Sequence, residues 1–182
     1  MVLAAMFAAL TAVGAFVKIP IPYVPFTLQF FFVLLAGALL GSRLGLLSQL
    51  VYLTVGLIGI PVFTMGGGPS YILQPTFGYL IGFAVTAYVV GRLTETQTEI
   101  KFYRCLLANL AGLAVTYTFG VIYLFLIVNW VLHKTLPFSQ AVWFGAVICS
   151  PGDIILSIIG AAVSVKLGRA LPNLRKREMI VN

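Results

Sequence analysis

Asp153 is the one acid between Glu99 and Glu178, and it sits in an otherwise apolar region. An ionisable group at membrane depth is costly and marks a functional position by default. A structural duty is also available to it. In Ser150-Pro151-Gly152-Asp153, Ser150 reads as an N-cap, Pro151 as the first helical residue and Asp153 as the acidic partner of a capping box. A second concentration of unusual residues is Pro61–Tyr79, PVFTMGGGPSYILQPTFGY, with three consecutive glycines, three prolines, two tyrosines and a glutamine. Gly66, Gly67 and Gly68 are either plain linker or a place where backbone N–H groups approach a ligand closely. Tyr71, Tyr79 and Tyr117 are either aromatics of the membrane interface or rings that stack on a small molecule. Gln29, beside Pro25-Phe26-Thr27-Leu28, is either a pocket amide or a helix-packing hydrogen bond.

The remaining side chains restrict the chemistry. His133 is the single histidine, so neither a multi-histidine metal site nor a catalytic triad can be assembled. Cys105 and Cys149 lack CxxC or histidine spacing and read as buried free thiols, with no metal. No phosphate-binding loop is present, so this chain does not hydrolyse ATP. What remains is an apolar pocket with a few polar groups, the description of a small-molecule binding site without a cofactor.

The elements that must position these residues are membrane spans. The chain of 182 residues is 61% hydrophobic and 8% charged, with a mean hydropathy of +1.09. A soluble domain of this size cannot hide that much apolar surface. The net charge of +7 is therefore a matter of membrane orientation and not of nucleic-acid binding. The uncharged run from Leu44 to Gly91 exceeds the roughly 20 residues one span needs. It divides into two spans with Pro61–Tyr79 folded between them over a pocket, because irregular backbone at membrane depth must be covered. The spans are expected at Met1–Val17, Pro25–Leu40, Leu44–Ile60, Thr76–Val90, Tyr103–Trp130 and about 150–167. Gly41-Ser42-Arg43 forms a tight turn, Leu136–Cys149 an amphipathic stretch and Arg92–Lys101 the one hydrophilic loop. The whole, 1–182, is a single all-α, six-helix transmembrane domain with a basic tail over about 168–182. Met1 opens directly into apolar helix and reads as mature span.

Arg43, Arg92, Lys101, Arg104, Lys166, Arg169, Arg175, Lys176 and Arg177 fall on one side of this arrangement, and Lys18 and Lys134 on the other. The bias puts both termini in the cytoplasm and the unusual loops outside. The first span carries Ala4, Ala5, Ala8, Ala9 and Ala12, whose small-xxx-small pairs serve either internal packing or the docking of a partner subunit. A self-sufficient secondary transporter would show an inverted repeat, and none is visible.

PFTLQ at 25–29, GIPVF at 59–63, the triple glycine followed by LQPTFGYLIGF at 73–83, Tyr117-x-x-Gly120 and PGD at 151–153 together resemble the BioY family. These are the biotin-specific, substrate-binding S components of energy-coupling factor (ECF) vitamin transporters in prokaryotic cell membranes. The resemblance covers nearly the whole chain. It implies a six-helix fold in lipid and an outward-facing biotin site. The site residues would come from Gln29, Gly67, Gly68, Tyr71, Gln74, Thr76, Tyr79, Tyr117 and Asp153. It further implies docking onto one transmembrane coupling subunit and two cytoplasmic ATPase subunits, with Ala5-x-x-x-Ala9 as the contact. Many members carry a lysine three residues after the PGD aspartate. Here that position is Leu156, which leaves lipoate and desthiobiotin as alternative small carboxylic acids.

Overall fold

The computed structural model describes residues 1–95 and 101–170. Gln97 and its neighbours in the hydrophilic loop, and the tail with Arg175, Lys176 and Arg177, lie outside the described residues.

Helix α1 (Val2–Phe16) ends at Val17, whose extended dihedrals (φ −88°, ψ 91°) lead into β1 (Lys18–Ile19). Pro20 and Pro22 cannot continue a helix, and the chain turns back as β2 (Phe26–Thr27). The strands pair antiparallel, Lys18 opposite Thr27 and Ile19 opposite Phe26. The all-helical expectation is corrected here. Pro25 does not open a span, because residues 26–28 belong to this ribbon. The Leu28 N–H donates to the Val17 carbonyl at 3.1 Å, and the helix begins only at Gln29.

Helix α2 (Gln29–Ile58) is interrupted at Gly41 (φ 78°, ψ −177°), a conformation that residues with a Cβ rarely adopt. The chain reverses there. A Cβ on Gly45 would lie 3.1 Å from the Gly37 Cα, whereas a continuous helix would put these residues about 12 Å apart. The element is thus two antiparallel arms, 29–40 and 42–58, which agrees with the turn expected at Gly41-Ser42-Arg43. The second arm starts under an anionic cap. The Ser42 N–H (3.0 Å) and hydroxyl (2.8 Å) both donate to Glu95 Oε2, and Arg92 pairs with Glu95 Oε1 at 2.8 Å. A carboxylate at a helix N-terminus satisfies an orphan donor and complements the dipole.

Then follow a 3₁₀ turn (Pro69–Leu73), α3 (Phe77–Glu95) and α4 (Phe102–Leu126), which runs on into a π-helical turn (Ile127–Val131). After α5 (Phe138–Val142) comes a second π turn (Trp143–Val147), then α6 (Ser150–Ala170). Among the described residues, four helical stretches are long and apolar enough to cross a membrane: Gln29–Ile58, Phe77–Glu95, Phe102–Val131 and Phe138–Ala170. Helix α1 is a shorter apolar helix. Helix α2 packs on α1 and α3, α3 on α4, and α6 on α4 and α2. Val33, Leu34, Ala87 and Val90 are fully buried where α2 meets α3. Hydroxyls and amides join the helices: Thr86 donates to the Gly112 carbonyl at 2.8 Å, and Asn109 to the Ser157 carbonyl at 2.9 Å.

Two further expectations change. The capping box does not form: the Asp153 N–H bonds the Cys149 carbonyl at 3.0 Å, and the Ser150 hydroxyl donates back to Val147 O at 2.9 Å. Helical backbone already precedes Ser150 at Ile148 (φ −66°, ψ −37°), so there is no orphan N–H for Ser150 to cap. The alanine face of α1 also divides. Ala4 and Ala8 are buried, while Ala5 and Ala9 are exposed.

Candidate functional site

The segment between α2 and α3 is held as firmly as a helix. Phe63 and Gly66 exchange backbone hydrogen bonds at 2.9 and 3.1 Å, forming a tight hairpin with Thr64 and Met65 at its tip. Phe63 is buried against Tyr52 and Tyr71, with ring centroids 5.3 and 4.5 Å away. The Tyr71 hydroxyl bonds Thr76 Oγ1 at 3.0 Å, and Tyr123 donates to the Ile72 carbonyl. Burial raises the Tyr71 pKa above the usual phenol value, against the lowering effect of the Thr76 hydroxyl, so it remains a neutral strut. Lys18 Nζ donates to the Thr64 carbonyl at 2.8 Å and clips the β-ribbon to the hairpin tip.

Beneath this cover lies a cavity with an empty volume of ≈ 520 Å³, its open mouth included. Its apolar wall is built from Phe26, Phe30, Leu80 and Phe83. Its polar residues gather in two places, around Gln29 and around Asp153.

The first cluster is on the loop side. Gln29 Oε1 accepts from Thr27 at 3.1 Å and from Thr64 at 3.2 Å. Gln29 Nε2 donates to the Tyr52 hydroxyl at 2.6 Å, which in turn donates to Val62 O at 3.1 Å. An amide oxygen has two lone pairs and both are taken.

The second is on the helix side. The Tyr117 hydroxyl donates to Asp153 Oδ2 at 2.6 Å, and Asp153 is 7% exposed. Tyr79 donates to the Gly145 carbonyl at 2.7 Å. That ring fits because residues 120 and 145 have no side chain: a Cβ would come within 2.2 Å of the ring at Gly120 and 2.4 Å of the hydroxyl at Gly145. Cys149, a free thiol, completes this part of the wall. An ionised carboxylate accepts at about four positions. With one tyrosine bound, Asp153 keeps capacity for donors from a ligand.

Of the residues singled out from sequence, Gln29, Thr76, Tyr79, Tyr117 and Asp153 come together on this cavity. Gly67, Gly68, Tyr71 and Gln74 stand outside its wall. The Gly68 N–H is spent on the Gly56 carbonyl at 2.8 Å, and the Gly66 N–H on Phe63. Gly67 is pressed against the chain, since a Cβ there would meet Ile60 O at 2.3 Å. Gln74 links two turns, its N–H bonding Tyr71 O at 2.9 Å and its carbonyl accepting from Phe77 at 3.0 Å. The sequence reading missed Thr27, Thr64 and Thr116 in the wall. Thr27 and Thr64 are polar residues within the very segments it had marked, PFTLQ and the triple-glycine loop. Leu156 is not part of the wall.

Comparison with known proteins adds to this geometry. A family model described as the BioY family matches residues 1–173. A protein of Lysinibacillus sphaericus named "Probable biotin transporter BioY" is 46% identical over 180 residues, covering 99% of this chain and 92% of that one. The "Biotin transporter BioY" of Thermotoga maritima is 36% identical over 170 residues, covering 90% and 92%. A crystal structure of the S component for biotin from an ECF-type ABC transporter is 28% identical, with a TM-score of 0.82, covering 92% of this chain and 89% of that one.

Proposed function

Because the chain belongs to the BioY family, we propose that it is the biotin-capturing membrane subunit of an ECF-type transporter. The observation that carries this is the buried Asp153 on a cavity with an aromatic wall. Biotin presents a ureido ring with two N–H donors, an apolar thioether ring and an aliphatic tail ending in a carboxylate. Asp153 accepts from the ureido donors, charge-assisted bonds roughly twice as strong as neutral ones. Tyr79, Tyr117 and the phenylalanines hold the ring system, and Gln29 and Thr76 close the site on the loop side. No reaction is catalysed here. ATP is hydrolysed on two partner ATPase subunits, reached through a transmembrane coupling subunit.

The chain is a single domain, residues 1–182, in the cell membrane of a prokaryote. Counting α1, the two arms of α2, α3, α4 and α6 gives six crossings, with both termini cytoplasmic. The break at Gly41 supports that count. The exposure of Ala5 and Ala9, beside buried Ala4 and Ala8, supports docking of the coupling subunit on this face of α1. Topology is tested by a cysteine at Met65, the exposed hairpin tip. It should react with an impermeant reagent from outside, and inside-only labelling reverses the orientation. Docking is tested by Ala9→Trp, which should abolish transport and leave biotin binding intact. Normal assembly of that variant moves the docking face elsewhere.

The main experiment is the mass of any small molecule released on denaturing the purified protein, followed by calorimetry with biotin, desthiobiotin and lipoate. Lipoate has a comparable tail and no ureido group. Lipoate binding as tight as biotin binding would refute the assignment.

A further inference from the structure

Lys18 and Thr27 face each other across the antiparallel ribbon. Side chains of such a pair project from the same face of the ribbon, and Thr27 lines the cavity. The Lys18 ammonium reaches the Thr64 carbonyl at 2.8 Å, and Thr64 lines the cavity as well. Lys18 therefore stands exposed at the edge of the site, touching its wall through two neighbours.

Most other donors near this edge are committed, and the one Gln29 Nε2 N–H left beside its bond to Tyr52 carries no charge. The Thr27 and Thr64 hydroxyls go to Gln29 Oε1. Thr76 is bonded to Tyr71, and Thr116 to Thr86 at 2.7 Å. The Gly66 and Gly68 amides are bonded within the fold. Among the described residues no lysine or arginine lines the cavity itself. A ligand carboxylate is also kept away from the opposite cluster, because a like charge beside Asp153 disfavours ionisation of both.

We propose that Lys18 is a specificity-determining residue that binds the ligand's carboxylate at the cavity edge, exchanging the Thr64 carbonyl for it. The proposal rests on the biotin reading above. An ammonium has three donors, and the recorded bond uses one. Its present acceptor is neutral, and a carboxylate forms the stronger, charge-assisted bond. Lys18 would then discriminate acids from neutral analogues, while Asp153 discriminates ureido rings from other heads.

The test is calorimetry on the intact protein with biotin and with biotin amide, which keeps the ureido ring and lacks the charge. Wild type should prefer biotin. Lys18→Met should weaken biotin about fivefold, the upper range for an exposed ion pair, and leave biotin amide unchanged. Lys18→Arg should restore most of the preference. Equal weakening of both ligands overturns the proposal, since Lys18 would then act only as the clip on Thr64. So does a wild type with no preference, or a Lys18→Met variant that keeps it. A wild type that binds neither ligand removes the biotin reading and this proposal with it, a result distinct from the failure of Lys18 alone.

Discussion

The two polar clusters of the cavity contrast in how their hydrogen bonds are spent. On the loop side Gln29, Thr27, Thr64 and Tyr52 bond one another with one Gln29 N–H to spare, and the chain of donors ends on the Val62 carbonyl. On the helix side Asp153 holds a single tyrosine and retains acceptor capacity. A nearly saturated, neutral network shapes and stiffens a wall. An unsaturated, buried carboxylate holds interaction energy that a ligand can collect. The difference suggests that affinity is concentrated on the helix side and that the loop side contributes shape.

The largest effect should follow from Asp153→Asn. It removes the charge and should weaken biotin binding by about 1.5–3 kcal/mol, the range for a hydrogen bond to a charged group. Calorimetry with unchanged biotin affinity would break the contrast at once. Gly120→Ala should come next. The added Cβ lies 2.2 Å from the Tyr79 ring, and overpacking of this kind costs roughly 1–3 kcal/mol of stability. It should lower the thermal midpoint in detergent and weaken binding of biotin and desthiobiotin alike, since both carry the ureido ring. An unshifted midpoint would mean that Tyr79 is not locked. Tyr52→Phe should have the smallest effect on binding. It deletes two hydrogen bonds of the loop-side network, from Gln29 and to the Val62 carbonyl, each worth about 0.5–1.5 kcal/mol of stability. Biotin affinity should stay within a few-fold of wild type. A loss as large as that of Asp153→Asn would show that the loop side carries affinity after all.

Much of the fold was legible because a membrane span announces itself by length and lack of charge. The reversal at Gly41-Ser42-Arg43 and the long helix ending near Trp130 were read in this way. The ribbon of β1 and β2 was not. Two-residue strands have no periodicity, and Pro25 has the same signature before a helix as before a strand. The cavity wall was legible where a residue's type was out of place in its surroundings, as with Asp153 and Gln29. It was not legible at the triple glycine, read as either linker or ligand cradle, where the Gly66 and Gly68 amides are spent within the fold. Whether a backbone N–H is free depends on its tertiary partner, here the Gly56 and Phe63 carbonyls, and local sequence does not carry that information. The Ser150 cap failed for a related reason. A capping motif is informative only where a helix begins, and here helical backbone already runs through Ile148.

The arrangement at Gly41 also bears on how the chain is made. With only one residue between its arms, α2 has no loop there, so on the six-crossing reading proposed above both arms would enter the bilayer as one hairpin. The amide end of the second arm waits for Glu95, 53 residues later in synthesis than Ser42. Until then that terminus lacks its Glu95 acceptor. On that reading the hairpin would insert first and be fastened only when the end of α3 arrives. Nascent chains halted before Glu95 should be more open to proteolysis at the turn than chains halted after it.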